Sequence, residues 1–238
     1  MRKYSLIGDQ NLQLLSRSKN FTNWLYSEIK PYIKGKILEI GSGFGTYSDK
    51  ITYDFPQNNI FLSDINPKYL ESLHQQYFDR PNIKIQKLNL ASEIDFKKIK
   101  VKFDTISVIN VLEHIEDDIQ ALHNLSLCLN KNRHLILLVP AYKFLFNCID
   151  KEIGHFRRYE KQDIINLLSK TEFKLIKLFY FNAFSILGWY LNGNIFKKPV
   201  ISKNALYFFD KLVPILKIVE KYVFRKSFGI SMIVILQK

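Results

Sequence analysis

Lys36-Ile37-Leu38-Glu39-Ile40-Gly41-Ser42-Gly43-Phe44-Gly45 joins a short apolar run to three glycines within five residues. The run reads as a buried strand. The glycines permit the tight turn and the close ligand approach that side chains would obstruct. The spacing is G-x-G-x-G, with an acidic residue two positions before the first glycine. A dinucleotide fingerprint, G-x-G-x-x-G, needs glycine at 46, where Thr46 stands. Outward from this turn, short apolar runs alternate with amphipathic stretches. Further strands are predicted at 59–63, 83–88, 103–109, 134–139 (stopped by Pro140), 173–181 and 230–236. Asn66 and Pro67 mark a helix start, followed by Leu70, Leu73 and Tyr77 at helical spacing. Ile115, Ile119, Leu122, Leu125 and Leu129 mark another helix with Asp117 and Asp118 in its first turn, and 164–168 lies on a third.

This alternation predicts an α/β fold with a seven-stranded, mostly parallel sheet and helices on both faces. Residues 1–238 read as a single domain with two additions. One is a helical extension over 1–35, with helices around 11–15 and 21–29; the other is a helical cap over 182–227, between strands six and seven. No apolar run reaches the roughly 20 residues of a membrane span, and Met1-Arg2-Lys3 is followed by no apolar signal core. Cys128 and Cys148 read as buried free thiols in a reducing cytoplasm. The net charge of +13 favours an anionic partner, though with 28 Lys against 7 Arg part of it is composition.

Four elements in register resemble the class I S-adenosylmethionine-dependent methyltransferases. Leu38 to Gly45 is similar to the family's first motif, Asp64 falls at the acidic position ending strand two, and Asn89 follows strand three. Phe103-Asp104 through Leu112-Glu113-His114 is similar to the fourth-strand motif. The resemblance covers roughly residues 21–181 and the last strand. It implies a Rossmann-like fold and S-adenosylmethionine as cofactor. Asp64 would accept bonds from the ribose hydroxyls, and Asn89 would lie near the adenine amino group. Glu39, Gly41, Ser42, Gly43, Gly45, Ile65, Leu90 and Asn110 would complete the cofactor site. The competing hydride-transfer reading needs Tyr-x-x-x-Lys just after the fifth strand, and the pairs Tyr207/Lys211 and Tyr222/Lys226 come much too late.

Transfer from a sulfonium needs alignment first, and a base only for a poor nucleophile. His114, after strand four, is the first catalytic candidate, and His155 the second. Some family members bind a divalent metal through Glu-x-x-Glu-His at this place. Here Asn110 stands for the first Glu, so no metal is expected. Gly154-His155-Phe156-Arg157-Arg158-Tyr159 resembles a segment of a bacterial subgroup associated with glycan or lipid-linked sugar pathways. That resemblance implies acceptor contacts for Arg158 and Tyr159. The 182–227 segment holds eight basic and two acidic residues, interleaved with aromatics. It suits a lid over an anionic or lipid-linked acceptor, with peripheral contact at the inner membrane face. The expected function is therefore methyl transfer to a small-molecule, glycan or lipid-linked sugar acceptor in the cytoplasm. RNA methylation comes second, ahead of a non-catalytic cofactor-binding or nucleic-acid-binding role.

Overall fold

The computed structural model describes residues 6–200 and 202–238. Seven strands form one sheet: β1 (Ile37–Ile40), β2 (Ile60–Asp64), β3 (Ile83–Lys87), β4 (Phe103–Ile109), β5 (Leu129–Pro140), β6 (Lys174–Phe181) and β7 (Ser231–Gln237). Their order is β3-β2-β1-β4-β5-β7-β6, with β7 antiparallel to both its neighbours and every other pairing parallel. Side chains alternate across the strands, so the sheet buries both faces. Leu135, Leu137 and Val139 meet Leu38, Ile40 and Val108 on one side. Ile136 and Leu138 meet Ile37 and Ile233 on the other.

Ten α-helices occur among the described residues: α1 (Leu6–Ser16), α2 (Lys19–Ile29), α3 (Ser48–Asp54), α4 (Pro67–Gln76), α5 (Glu93–Lys97), α6 (Asp118–Cys128), α7 (Cys148–Glu152), α8 (Lys161–Leu168), α9 (Ser185–Tyr190) and α10 (Lys203–Val219). The N-terminal extension is therefore helical from Leu6; its first five residues lie outside the described ones. Asn66 caps α4 as its spacing predicts, accepting from the Lys68 N–H. Three local expectations are corrected. The sixth helix stops at Cys128, because Leu129 already pairs with Phe103 and opens β5. Asp117 is the cap of that helix, accepting from the Gln120 N–H, and does not sit in its first turn. Cys148 is half-buried, its Sγ against the Gly193 carbonyl, and only Cys128 is buried.

The 182–227 segment is pinned at its root and along its length. Glu220 is buried and accepts the Asn182 and Ala183 N–H groups at 2.8 Å each. Asp210 on α10 accepts the Phe21 N–H at 2.8 Å, placing a negative charge at the start of α2, where the helix dipole favours it. Phe209 packs on Phe21, and Val213 is buried in the α2 side of the core.

Candidate active site

Strand order reverses between β1 and β4, and an open α/β sheet builds its ligand crevice at the carboxyl ends beside such a switch point. The glycine turn lies there. Gly41 takes φ +73°, and a Cβ on it would sit 2.4 Å from Val111 Cγ2, so neither the backbone nor the space admits a side chain. The turn is stitched to β2: the Ser63 carbonyl accepts the Gly41 N–H at 2.8 Å and the Ser42 N–H at 2.9 Å. Gly43 donates its N–H to Asp64 Oδ2 at 3.0 Å, and Asn66 donates to Asp64 Oδ1 at 2.8 Å. A carboxylate has about four acceptor sites, so these bonds, with the Ile65 N–H beside them, orient Asp64 without exhausting its acceptor capacity. Burial raises its carboxyl above the usual range, against the pull of those backbone donors. The residue set fits an adenosyl ligand: a turn with no room for a Cβ faces a fixed carboxylate that still has acceptor capacity. Ile65 follows it, half-buried.

Glu39 works from beneath the turn. Its carboxylate accepts from the hydroxyls of Ser42, at 3.1 Å, and Ser48. Burial pushes it up to about 7, against those two serine bonds and helped by Asp49 and Asp64. The folded-state value lies above the ordinary 4.5, so the folded chain holds an extra proton between about pH 4.5 and 7. Stability contributed by Glu39 is therefore full below that window and falls as pH rises through it. Glu39→Gln keeps an acceptor for the serines and loses the titration. The variant should gain up to about 3 kcal/mol over wild type on going from pH 5 to pH 8 in urea melts. Parallel curves for the two proteins would contradict this.

Asn89 forms a local turn: its N–H donates to Asp95, and its Oδ1 accepts from the Ala91 N–H at 3.1 Å. Leu90 points into the core, and its carbonyl accepts from the buried Asn124 side chain. Asn110 follows β4 directly, exposed, at φ 53°. Tyr142 and Asn182, which follow β5 and β6, also take φ 64°. Three non-glycine residues in the left-handed region along one sheet edge mark stored strain at the ligand side.

The fold brings His114 and His155 together, with ring centroids 4.7 Å apart. Burial lowers the His114 imidazole to about 4, reinforced by His155, so the ring is neutral at physiological pH. His155 is buried, and its Nδ1 lies 2.8 Å from Asp150 Oδ1. Arg158, also buried, donates Nε to both Asp150 oxygens and Nη1 to the Ala141 carbonyl, and its guanidinium stacks 4.6 Å from the Trp189 ring. Tyr159 is buried and bonds Asp118 at 3.0 Å. These polar groups turn inward, away from the acceptor contact expected of Arg158 and Tyr159. Asp150, the hub of this network, opens the stretch that the sequence singles out around His155, but the sequence reading gave it no role. Its signal was an acidic residue three positions after Asn147, the capping box that the structure shows. Trp189, on the cap, was likewise given no role.

Residues 38–135 match the protein family described as a methyltransferase domain. In this match, in sheet order and in the turn–Asp64 geometry, the chain is similar to the class I S-adenosylmethionine-dependent methyltransferases. A curated relative, malonyl-[acyl-carrier protein] O-methyltransferase 1 of Ilyobacter polytropus, is 23% identical over 146 residues, covering 59% of this chain and 53% of the relative. The chain thus spans about half the length of the curated relative it matches. Among solved structures, an S-adenosylmethionine-dependent methyltransferase from Clostridium acetobutylicum superposes with a TM-score of 0.61 at 12% identity, over 96% of this chain and 95% of that one. The N-methyltransferase NodS of Bradyrhizobium japonicum, solved with S-adenosyl-L-homocysteine, gives 0.55 at 18% identity, over 72% and 82%. These two share the fold.

Proposed function

We propose that the chain moves a methyl group from S-adenosylmethionine to a small amphiphilic acceptor, such as a lipid-linked sugar, at the cytoplasmic face of a membrane. The observation that carries the transfer reading is the Asp64 carboxylate fixed by the Gly43 N–H at the switch point. When bound, the cofactor supplies a methyl already activated by its sulfonium. The chain's own residues supply alignment. The glycine turn and Asp64 hold the nucleoside, with Glu39, Ser42, Gly45, Ile65, Asn89, Leu90 and Asn110 around it. His114 and His155 stand at the acceptor end, Arg158 positions His155 through Asp150, and Tyr159, bonded to Asp118, anchors the segment that carries them. The methyltransferases that share the family and fold, one of them named for a carrier-protein substrate, support small or carrier-bound acceptors.

The cap favours an amphiphile. α9 and the π-helical Leu191–Ile195 rest on the segment after β5: Trp189 Nε1 donates to the Leu145 carbonyl, and Asn147 bonds Asn194. The outer face of α10 is apolar where solvent meets it. Phe208, Leu212 and Ile215 follow at helical spacing, at 65%, 50% and 62% exposure, with Tyr207, Ile218 and Tyr222 beside them. Lys203, Lys211, Lys217 and Lys221 are interleaved. Apolar side chains flanked by lysines match an anionic bilayer surface, each lysine adding about 1 kcal/mol near it. No helix among the described residues is long and apolar enough to cross a membrane.

Two experiments test this reading. Tritiated methyl groups from labelled cofactor should enter the organic-soluble fraction of a matched cell extract. Label confined to RNA would replace the acceptor, and cofactor binding without any label would make the protein a non-catalytic binder. Co-sedimentation with vesicles containing anionic phospholipid should be strong, and Phe208→Glu with Ile215→Glu should weaken it at least tenfold without lowering the melting temperature. Absence of wild-type sedimentation, or self-association that depends on the same residues, would remove the membrane from the proposal.

A further inference from the structure

Glu113 is the buried group that the transfer reading leaves unused. It lies in a short 3-10 turn, Leu112–His114, directly after β4. It is 0% exposed, and neither carboxylate oxygen has a hydrogen-bond partner. A carboxylate sealed in this way costs several kcal/mol unless something answers it. The backbone around it is satisfied, since its carbonyl accepts the Phe156 N–H at 2.8 Å. What the fold aims at the side chain is imidazole. His155 Nε2 lies 3.6 Å from Glu113 Oε1, and ligand atoms of Glu113, His114 and His155 all lie within 4.8 Å of one another.

We propose that Glu113, His114 and His155 form a binding site for a divalent first-row transition metal of the zinc or manganese type. The 3.6 Å separation is too long for a hydrogen bond. It is close to the roughly 3.4 Å between two donors on one tetrahedral ion with bonds of about 2.1 Å. One carboxylate and two imidazoles suit zinc, iron, cobalt or manganese better than calcium or magnesium, which favour all-oxygen shells. The supporting shell is present as well. Asp150 Oδ1, 2.8 Å from His155 Nδ1, fixes the tautomer that leaves Nε2 facing Glu113. Arg158 holds Asp150 in turn, with Nε at 2.9 and 3.0 Å from its two oxygens. A carboxylate–histidine pair backed by a buried guanidinium is an arrangement that orients a ligand. Three protein ligands leave a position for water or for an acceptor oxygen.

The expectation of a metal-free site rested on Asn110, in the place of a carboxylate. It weighed only residues adjacent in sequence. His155 comes from beyond β5, 41 positions after His114 (155 − 114), and local spacing does not show it.

The test reads the metal, so it stands apart from methyl transfer. Chelator-stripped protein is titrated with Co²⁺, followed by visible absorption, and loaded with Zn²⁺ for elemental analysis after gel filtration. One ion per chain is expected, with the absorption of a low-symmetry nitrogen–oxygen site. Glu113→Gln and His114→Ala should each weaken binding at least 100-fold. His74→Ala, at an exposed histidine on α4, should leave it unchanged. A thermal melt and a calorimetric titration with S-adenosylhomocysteine establish that each variant is folded. Less than a stoichiometric ion in wild type, or binding that persists in folded Glu113→Gln and His114→Ala, would overturn the proposal.

Discussion

Asp64→Ala should reduce affinity for S-adenosylhomocysteine by a factor of 100 or more in calorimetry, with little change in melting temperature. The loss has two parts. On the proposed reading, two charge-assisted bonds to ribose hydroxyls would be lost, at about 1.5–3 kcal/mol each. The Gly43 N–H, now held at 3.0 Å, also loses its partner, so the turn is no longer preset. The fold keeps the burial of β2 and gives up a carboxylate that burial itself disfavours, which is why stability should move little. Asp64→Asn should fall between, since it can still accept from Gly43 but carries no charge for the hydroxyls. Undiminished affinity in Asp64→Ala would remove this residue from the cofactor site, and the proposed function would lose its carrying observation.

Asp150→Ala should be the most destabilising single change in the acceptor region. The side chain is fully buried and meets three groups at once: His155, Arg158 Nε, and, through the capping box, the N–H of Asn147 at the start of α7. Removal leaves a buried guanidinium without its counter-charge, and breaking such a pair costs about 3–5 kcal/mol. In a chain of this length that corresponds to a fall of roughly 10 °C in melting temperature. Burial of the carboxyl is outweighed by His155 and Arg158, which hold it below the usual range. Its contribution is therefore present above the ordinary carboxylate pKa and is lost as pH falls through the lowered one. A fall of only 1–2 °C would mean that Arg158 finds another partner, with the Ala141 carbonyl and the Trp189 ring the nearest at hand.

The sheet and the cofactor end were legible because their determinants are local. Alternation around 36–40 and 103–109 gave strands, a glycine turn has a backbone reason, and Asn66-Pro67 announces a helix by its caps alone. The acceptor end was read less well because its determinants are distant partners. Glu113, Asp150, His155 and Trp189 meet only after β5 and the cap have folded, and no periodic pattern links them. Arg158 drew attention as one of few arginines in a lysine-rich chain, but its inward direction comes from Asp150, eight positions away. The short α5 and α7 escaped the reading too, since one turn of helix has no period to detect. The end of α6 was misplaced because Leu129 suits the apolar spacing of a helix and the interior of a strand equally well.

The position of β7 sets a timetable for synthesis. β5 ends at Pro140, and the strand that must lie against it begins at Ser231, 91 positions later (231 − 140). At about 5–20 residues per second, a ribosome leaves that edge of β5 unpaired for roughly 5–18 s. β6 emerges in between, yet it pairs only with β7, so neither strand can finish the sheet before the last residues appear. Toward the end of that interval the 182–227 segment, with its apolar outer face, emerges just ahead of β7. The nascent chain thus presents an open strand edge and an oily helix together, the two features that most invite aggregation and chaperone capture.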